Sequence, residues 1–433
     1  MMAVQTNDNG NNFLNMKVLP GRWDNIIRTY TEEDVYKLRG SVTTASTFSQ
    51  IGAEKIWKTF MTEDYVNALG ALTGNQAVQM ARAGLKAIYL SGWQTAADAN
   101  LACHTYPDRS LYPSNSVPEI VKKLNYALQR ADQMELSEKG RVSRDWFLPI
   151  IADAEAGFGG PLNCFEITKS MIEAGAAGVH FEDQLTSEKK CGHLGGKVLV
   201  PVNEFIKKLI AARLGADVMG VPITIIGRTD ANSAKLISSN IDPVDEEFLL
   251  NSRTEEGYYR YKGGIDAAIK RSLAFAPYCD LIWWETSSPD LKEAKLLSES
   301  IRKYYPNKMF AYNCSPSFNW RNYLTSCEIA KFQREMGAMG FKFQFITSAG
   351  FHALNYSMFK LATGYKTNGM TTFVDLQAKE FEATKEGYTA VYQQKEVANG
   401  YFDEVLEVIY GKKVETMGMP ESTEQEQFLS LSA

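Results

Sequence analysis

Long apolar runs are missing from this chain. The longest, such as Ile223–Gly227 and Leu281–Trp284, fall far short of the ~20 residues that a membrane-spanning helix needs. A long block of like charge is missing too. Lys and Arg number 46, Asp and Glu 51, and the formal net charge is −5. That balance argues against the broad basic surface that nucleic acid or an anionic membrane would require, and favours a small-molecule partner. The six cysteines contain no Cys-x-x-Cys pair and no regular framework, which excludes a disulfide scaffold or structural zinc site and suits a reducing compartment. Met1 to Asn12 lacks the basic-then-apolar order of a secretory signal, and the terminal Leu431-Ser432-Ala433 is not a peroxisomal address. The expected location is cytoplasmic. Neither Gly157-Phe158-Gly159-Gly160 nor the glycines near Cys191 have nucleotide-binding spacing. There is no short internal repeat or low-complexity tract.

What the chain does have is enough apolar residue for a large core: 433 residues, 45% hydrophobic and 22% charged, the balance of an ordinary enzyme. Eight short apolar runs recur, each ending in polar or charged residues. They are Asn67–Leu72, Ala87–Leu90 (then Ser91-Gly92-Trp93), Leu148–Ala152 (then Asp153-Ala154-Glu155) and Gly178–Phe181 (then Glu182-Asp183). The series continues with Ile223–Gly227 (then Arg228-Thr229-Asp230), Asp280–Trp284 (then Glu285-Thr286), Met309–Tyr312 (then Asn313-Cys314-Ser315) and Phe343–Ile346 (then Thr347).

Stretches with helical spacing separate most of these runs, among them Gln76–Ala83, Phe165–Ala174, Asn203–Leu214, Gly264–Ala276, Leu291–Tyr304 and Ile329–Met339. Strand and helix alternate, and eight such units predict a (β/α)₈ TIM-type barrel with additional N-terminal and C-terminal helices. The expected organisation is an N-terminal helical region over 1–65 and a catalytic barrel over 66–350. The barrel carries an active-site loop at 185–197 and a charged insertion at 231–262. Residues 351–433 are read as C-terminal helices and a polar tail from Glu415, too hydrophilic for core and expected to be free until it closes as a lid.

In such barrels chemistry sits at the carboxyl ends of the strands, where these polar clusters fall. Asp153, Glu155, Glu182 and Glu285 would then share one mouth, and clustered carboxylates repel unless a cation or protons intervene. Oxygen ligands without a His-rich partner favour a hard ion, Mg²⁺ being the natural choice. Arg228 could hold a substrate carboxylate with its planar fork. Lys189-Lys190-Cys191-Gly192-His193-Leu194-Gly195-Gly196-Lys197 is the most unusual segment. A thiol flanked by two lysines and a histidine is expected to have a lowered pKa, whereas Cys103, Cys164, Cys279, Cys314 and Cys327 read as small hydrophobes.

The Lys-Lys-Cys-Gly-His run resembles the signature of isocitrate lyases. The resemblance extends through Leu72-Thr73-Gly74-Asn75, Tyr89 to Gln94, His104 to Asp108, Asp153 to Gly160, Asn313 to Trp320 and Phe341 to Tyr356, nearly the whole chain. It implies a Mg²⁺-dependent enzyme of the glyoxylate cycle, of the superfamily that also holds phosphoenolpyruvate mutase, cleaving isocitrate to succinate and glyoxylate. By this likeness Asp153 would hold the metal directly, with Asp108, Glu155 and Glu182 reaching it mostly through water. Ser91, Gly92, Trp93, Gly192, His193, Arg228, Glu285, Asn313, Ser315, Ser317 and Thr347 would bind substrate. Cys191 would be the acid/base, with His193, Lys189 and Lys190 beside it, and Tyr89, on the same strand face as Ser91, is the candidate base for the hydroxyl. The resemblance also implies a homotetramer that exchanges helices, with a tail that helps close a neighbour's site. The alternatives are a 2-methylisocitrate lyase, against which Phe345 and Thr347 speak, and a non-catalytic dicarboxylate-binding barrel, which would have no need of Cys191.

Overall fold

A computed structural model describes residues 13–429 apart from Lys17. The start of the chain and its last four residues, on which the readings about targeting rest, lie outside the described residues. All eight expected strands are present: β1 (Val66–Gly70), β2 (Ala87–Leu90), β3 (Ile150–Asp153), β4 (Gly178–Glu182), β6 (Thr224–Thr229), β10 (Leu281–Trp284), β11 (Met309–Asn313) and β12 (Phe341–Ile346). The intervening labels belong to β5 (Val198–Leu199), β7 (Leu236–Ile237), β8 (Leu249–Arg253) and β9 (Tyr259–Tyr261). The eight close in the order β1-β12-β11-β10-β6-β4-β3-β2, every pair parallel. Strands buried on both faces read as continuous apolar runs rather than alternating ones, which is why short runs such as Ala87–Leu90 were legible as strands.

The barrel is filled by its own side chains. Val66, Ala68, Tyr89, Ile151, Ile226, Leu281, Trp283, Met309, Ala311, Phe343 and Phe345 form one buried cluster. Ile56, Trp57 and Phe60 join it from the helix Thr47–Thr62, which therefore closes the amino end of the barrel. Phe60 meets Phe343 edge-on with centroids 6.1 Å apart. A shorter helix, Glu32–Arg39, precedes it in the chain.

At the same end lies a buried ionic junction. Asp280, just ahead of β10, accepts Arg22 Nη1 at 2.6 Å, Arg213 Nη2 at 2.6 Å and the Ile225 amide at 2.7 Å. Arg22 lies over the rings of Trp23 and Trp57, 4.3 Å from each centroid. Burial lowers the Arg22 pKa to about 10, while Asp280 is held well below the usual carboxylate range: its burial opposes this, but the two guanidinium groups outweigh it.

The insertion departs from expectation. Read only as a charged excursion, 231–262 instead supplies three strands that with β5 form a small sheet, order β5-β7-β9-β8. Its strands are short, and β8 is largely exposed, so it carries no apolar period to betray it. The sheet caps a barrel helix: Asp245 Oδ2 accepts the Val202 amide at 3.2 Å and Asp242 Oδ2 the Asn203 amide at 2.7 Å, at the start of Val202–Met219.

The chain forms two compact units. The larger comprises residues up to Leu72, Lys86–Lys122 and Pro149–Ala349; the smaller gathers Thr73–Leu85, Lys123–Leu148 and the region from Gly350 onward. Within the smaller unit Glu396 accepts Gln79 Nε2 at 2.9 Å and pairs with Arg82, so side chains far apart in sequence bring the inner stretch Thr73–Leu85 together with the C-terminal helices. The described part of the tail is not free. Asp403 accepts the amides of Gly418 and Met419 at 2.7 and 2.8 Å, and Glu424 those of Gln394 and Lys395 at 2.7 and 2.9 Å. Pairing of backbone amides with carboxylates explains how so polar a segment is fixed without entering a core. Among the described residues no helix is long and apolar enough to cross a membrane.

Removing one charge from a buried ionic junction leaves the others uncompensated, at a cost of about 3–5 kcal/mol. Asp280→Asn is therefore expected to lower the urea midpoint by that amount of stability, while the fraction still folded keeps its activity, because the junction lies at the amino ends of the strands. Chemical denaturation followed by circular dichroism checks this; an unchanged midpoint would mean that the junction contributes nothing.

Candidate active site

The carboxyl ends of the strands gather the charged residues, as the sequence led one to expect. Asp153 ends β3, and its buried carboxylate is held from three sides. Oδ1 accepts the Glu155 amide at 2.8 Å, Oδ2 accepts the Gly92 amide at 2.9 Å, and His180 Nε2 lies 3.3 Å from Oδ1. Burial works to raise its pKa, but the charge and hydrogen bond of His180, with Lys189 nearby, hold it far below the usual range. Gly92 has no substitute here: a Cβ would lie 2.6 Å from Glu155 Oε1 and 2.7 Å from Asp153 Oδ2.

Beside it stand Asp108, Glu155 and Glu182, all buried, with the Lys189 ammonium between them. Lys189 pairs with Asp108 and Glu155 and lies 3.7 Å from Glu182. Glu155 accepts Ser110 Oγ at 3.1 Å and the Tyr112 hydroxyl, and its backbone is in the left-handed region (φ 57°), an uncommon conformation of the kind that collects at functional sites. Its pKa rises to about 7, through burial first and then the charges of Asp108 and Asp153, against the pull of Lys189. Glu182 is raised as well, by burial, and its Oε1 makes no hydrogen bond. One ammonium thus leaves a surplus of negative charge. Among the described residues no three His, Cys, Asp or Glu side chains form a ready-made metal cage. The four carboxylates nonetheless fit a hard divalent cation in donor type and in charge, with the Lys189 ammonium standing where such a cation would balance them.

Arg228, in β6, faces this group. It makes a fork on Asp230 (Nε to Oδ2 3.0 Å, Nη2 to Oδ1 3.1 Å), lies 3.3 Å from Glu182 Oε2 and covers the Trp283 ring at 4.5 Å. Glu285, just after β10, lies 3.3 Å from His193 Nε2 and accepts Asn313 Nδ2 at 3.4 Å. Its Oε2 and Asn313 Oδ1 are buried without hydrogen bonds. Ser91 opens the turn after β2, Ser315 and Ser317 follow β11 and Thr347 follows β12, all at the same end of the barrel; Trp93 beside Ser91 is half-buried. Ser315 Oγ accepts the Ser317 amide at 3.1 Å.

The Cys191 loop enters the same space. Its amide donates to the Asp108 carbonyl at 3.0 Å, and its Sγ lies 3.8 Å from His193 Nδ1. A Cβ on Gly192 would lie 2.6 Å from Glu285 and 2.7 Å from Arg228 Nη2, so only glycine allows the loop this approach. The expected lowering of the thiol pKa is overturned: it is pushed up to about 12, by burial first and then by Asp108 and Glu285. The two lysines were counted by sequence distance, but their ammonium groups point elsewhere. Lys189 serves the carboxylates, and Lys190 donates to the Glu188 carbonyl at 2.9 Å, outside the cluster.

Tyr89 is buried within hydrogen-bond distance of His180 Nε2 (2.8 Å), with its ring stacked on Phe345 at 4.2 Å. Burial and then Asp153 raise its pKa well above the ordinary value, so it remains a phenol. Residues with no role in the sequence reading prove central here: His180, Tyr112, Gln184, Lys197 and Asp230. Lys197 and Asp230 stood at the ends of segments already singled out, whereas His180 lay inside an apolar run, where it read as core.

The chain matches the model of the Isocitrate lyase family over residues 17–253 and 250–428. It is 59% identical over 408 residues to an isocitrate lyase of Halalkalibacterium halodurans, covering 94% of this chain and 95% of the relative. It is 56% identical to isocitrate lyase 1 of Mycobacterium tuberculosis over 407 residues (94% and 95%), and 56% identical to an isocitrate lyase of Corynebacterium efficiens over 410 residues (94% and 95%). Among solved structures, its fold resembles an oxaloacetate acetylhydrolase bound to an inhibitor (TM-score 0.58, 21% identity, 85% of this chain and 99% of the other). It also resembles a 2,3-dimethylmalate lyase of the phosphoenolpyruvate mutase/isocitrate lyase superfamily (TM-score 0.51, 20% identity, 76% and 87%). A closed parallel barrel with this charged mouth, and relatives of such identity over nearly the whole length, make the chain a member of the isocitrate lyase family.

Proposed function

We propose that the chain cleaves isocitrate to succinate and glyoxylate at the carboxyl end of the barrel. The observation that carries this reading is the close approach of the Cys191 loop to a buried carboxylate cluster flanked by Arg228. Such a site can bind an anionic substrate through a cation and deliver a proton to the carbanion left behind. Mg²⁺ is the cation we infer, held by Asp153 directly, with Asp108, Glu155 and Glu182 around it; when bound it supplies a Lewis acid that weakens the substrate hydroxyl's hold on its proton.

The chain's own groups do the rest. The hydroxyl proton leaves toward Tyr89, which as a buried phenol hydrogen-bonded to His180 hands on its own proton in exchange and so acts as a relay rather than a free base. As the C2–C3 bond breaks, its electron pair moves onto C3, beside a carboxylate, while C2 becomes the aldehyde carbon of glyoxylate. Arg228, His193, Asn313, Ser315 and Ser317 offset the extra charge on the succinate side, and Ser91, Gly92, Trp93, Gly192, Glu285 and Thr347 complete the pocket. Cys191 then gives its proton to C3. The thiolate regains a proton from the relay through solvent, so protons balance. The raised thiol pKa supports this direction of work, since the acid form is the one present at neutral pH. Lys189 ties the loop to Asp108 and Glu155, while Lys190 bonds within it to Glu188.

Exposed large apolar side chains on the C-terminal helices, among them Tyr356, Met358, Phe359, Met370, Phe373 and Val374, support assembly into a homotetramer. Six unpaired cysteines support a reducing, cytoplasmic setting.

Two outcomes test this reading. Glyoxylate release from isocitrate should vanish on chelation and return with Mg²⁺, and Asp153→Ala should not be rescued by modest excess metal; near wild-type turnover in that variant would remove the metal site from the account. Cys191→Ala should still bind substrate but lose at least ~10²-fold in turnover, the usual contribution of general acid catalysis. It should also stop exchange of a succinate methylene proton with solvent deuterium in the presence of a glyoxylate analogue. Exchange persisting at the wild-type rate would assign that proton to another group.

A further inference from the structure

The segment that carries Cys191 is fastened by a residue to which the reaction assigns no task. Lys197 ends the glycine-rich run, and its side chain is only 1% exposed. Its ammonium donates to the Gly192 carbonyl at 2.5 Å, to Ser233 Oγ at 2.6 Å and to Asp230 Oδ1 at 3.0 Å, which uses all three of its N–H bonds. Gly192 lies between Cys191 and His193, so the carbonyl held is one residue from the thiol.

Asp230 is the footing of a second tether as well. Its Oδ2 accepts Gln184 Nε2 at 3.1 Å, and the Gln184 side chain clasps the backbone of Lys190 on both edges, accepting its amide at 3.0 Å and donating to its carbonyl at 2.9 Å. Cys191 is therefore gripped on both sides, at Lys190 and at Gly192, and both grips end on one carboxylate. That carboxylate also carries the Arg228 fork. Asp230 cannot shift easily: its amide donates to Asp183 Oδ1 at 2.9 Å, and Asp183 Oδ2 accepts Arg271 Nε at 3.0 Å. Arg271 in turn donates to Asp245 Oδ1 at 2.6 Å and to the Val200 carbonyl at 2.7 Å. The loop's height above the barrel is thus set from the barrel wall itself.

We propose that Lys197 is a positioning residue that fixes the Cys191 thiol in register with Arg228 for proton transfer, by tying the Gly192 carbonyl to Asp230. The proposal rests on the reading of Cys191 as the proton donor. A charged, fully hydrogen-bonded lysine is a costly way to close a loop, and it places the acid and the substrate-binding guanidinium on the same support, where a misplacement of about 1 Å costs on the order of 10²-fold in rate.

Lys197→Met keeps the stem but removes the ammonium. With Mg²⁺ present, its kcat for isocitrate cleavage is expected to fall ~10–100-fold while KM changes by less than about threefold, because the carboxylate clamps stay in place. The solvent deuterium isotope effect on kcat should rise, since a misplaced thiol makes proton delivery slower than the other steps. A merely structural lysine would lower melting temperature without changing that isotope effect. Ser233→Ala, which removes one uncharged partner and leaves the charges intact, should give a smaller change in the same direction. A folded Lys197→Met with wild-type kcat and isotope effect overturns the proposal; so does an unfolded Lys197→Met together with a Ser233→Ala enzyme unchanged in both. The succinate exchange assay separates the two readings. Exchange that survives in Cys191→Ala refutes the acid role itself, whereas exchange lost in Cys191→Ala but normal in Lys197→Met refutes only the role of Lys197.

Discussion

Carboxylates cannot be crowded into a buried pocket unless positive charge is supplied with them, and this constraint shapes the mouth of the barrel. Asp108, Asp153, Glu155 and Glu182 are all buried there, and the chain answers with Lys189 and Arg228, while His180 lies 3.3 Å from Asp153 Oδ1. The compensation is unequal. Asp153, with His180 on one oxygen and amides on both, is kept ionised, while Glu155 and Glu182 retain a surplus that draws protons or a cation.

The barrel makes such crowding affordable by rigidity. Parallel strands closed into a ring fix the spacing of their ends, and the cluster of Tyr89, Trp283, Phe343 and Phe345 fills the space beneath the charged layer. The other end is sealed by the helix Thr47–Thr62 and by Asp280 with its two arginines, so that stability and chemistry occupy opposite ends of the same strands. The insertion, far from being a loose excursion, caps the helix Val202–Met219 and contributes Asp245 to the support of Arg271.

Cys191 shows how far a local reading of charge can mislead. Two adjacent lysines suggest a thiolate, yet the fold turns both ammonium groups away, to Asp108 and Glu155 in one case and to Glu188 in the other, and leaves the sulfur facing acidic neighbours. Burial and these acidic neighbours hold the sulfur in its thiol form. Its placement depends on Lys197 and Gln184, which act on the backbone on either side of it.

By itself the sequence determined the eight strands and their alternation with helices, because a strand buried on both faces shows as an apolar run, and strand ends in a parallel barrel show as polar clusters. It also determined which residues reach the mouth, from Ser91 and Asp153 to Arg228, Glu285 and Asn313, since a residue's position along its strand fixes the end at which it lies. The small sheet that β5 forms with three strands of 231–262, the fastening of the tail from Gly418 to Glu424 and the placement of His180, Lys197 and Asp230 were decided only by the tertiary structure. Each depends on side-chain partners tens of residues away, or on burial that composition does not reveal. Protonation belongs to the same class: whether Cys191 is thiol or thiolate is a matter of which charges lie within a few ångströms, and distance in space is what the fold alone supplies.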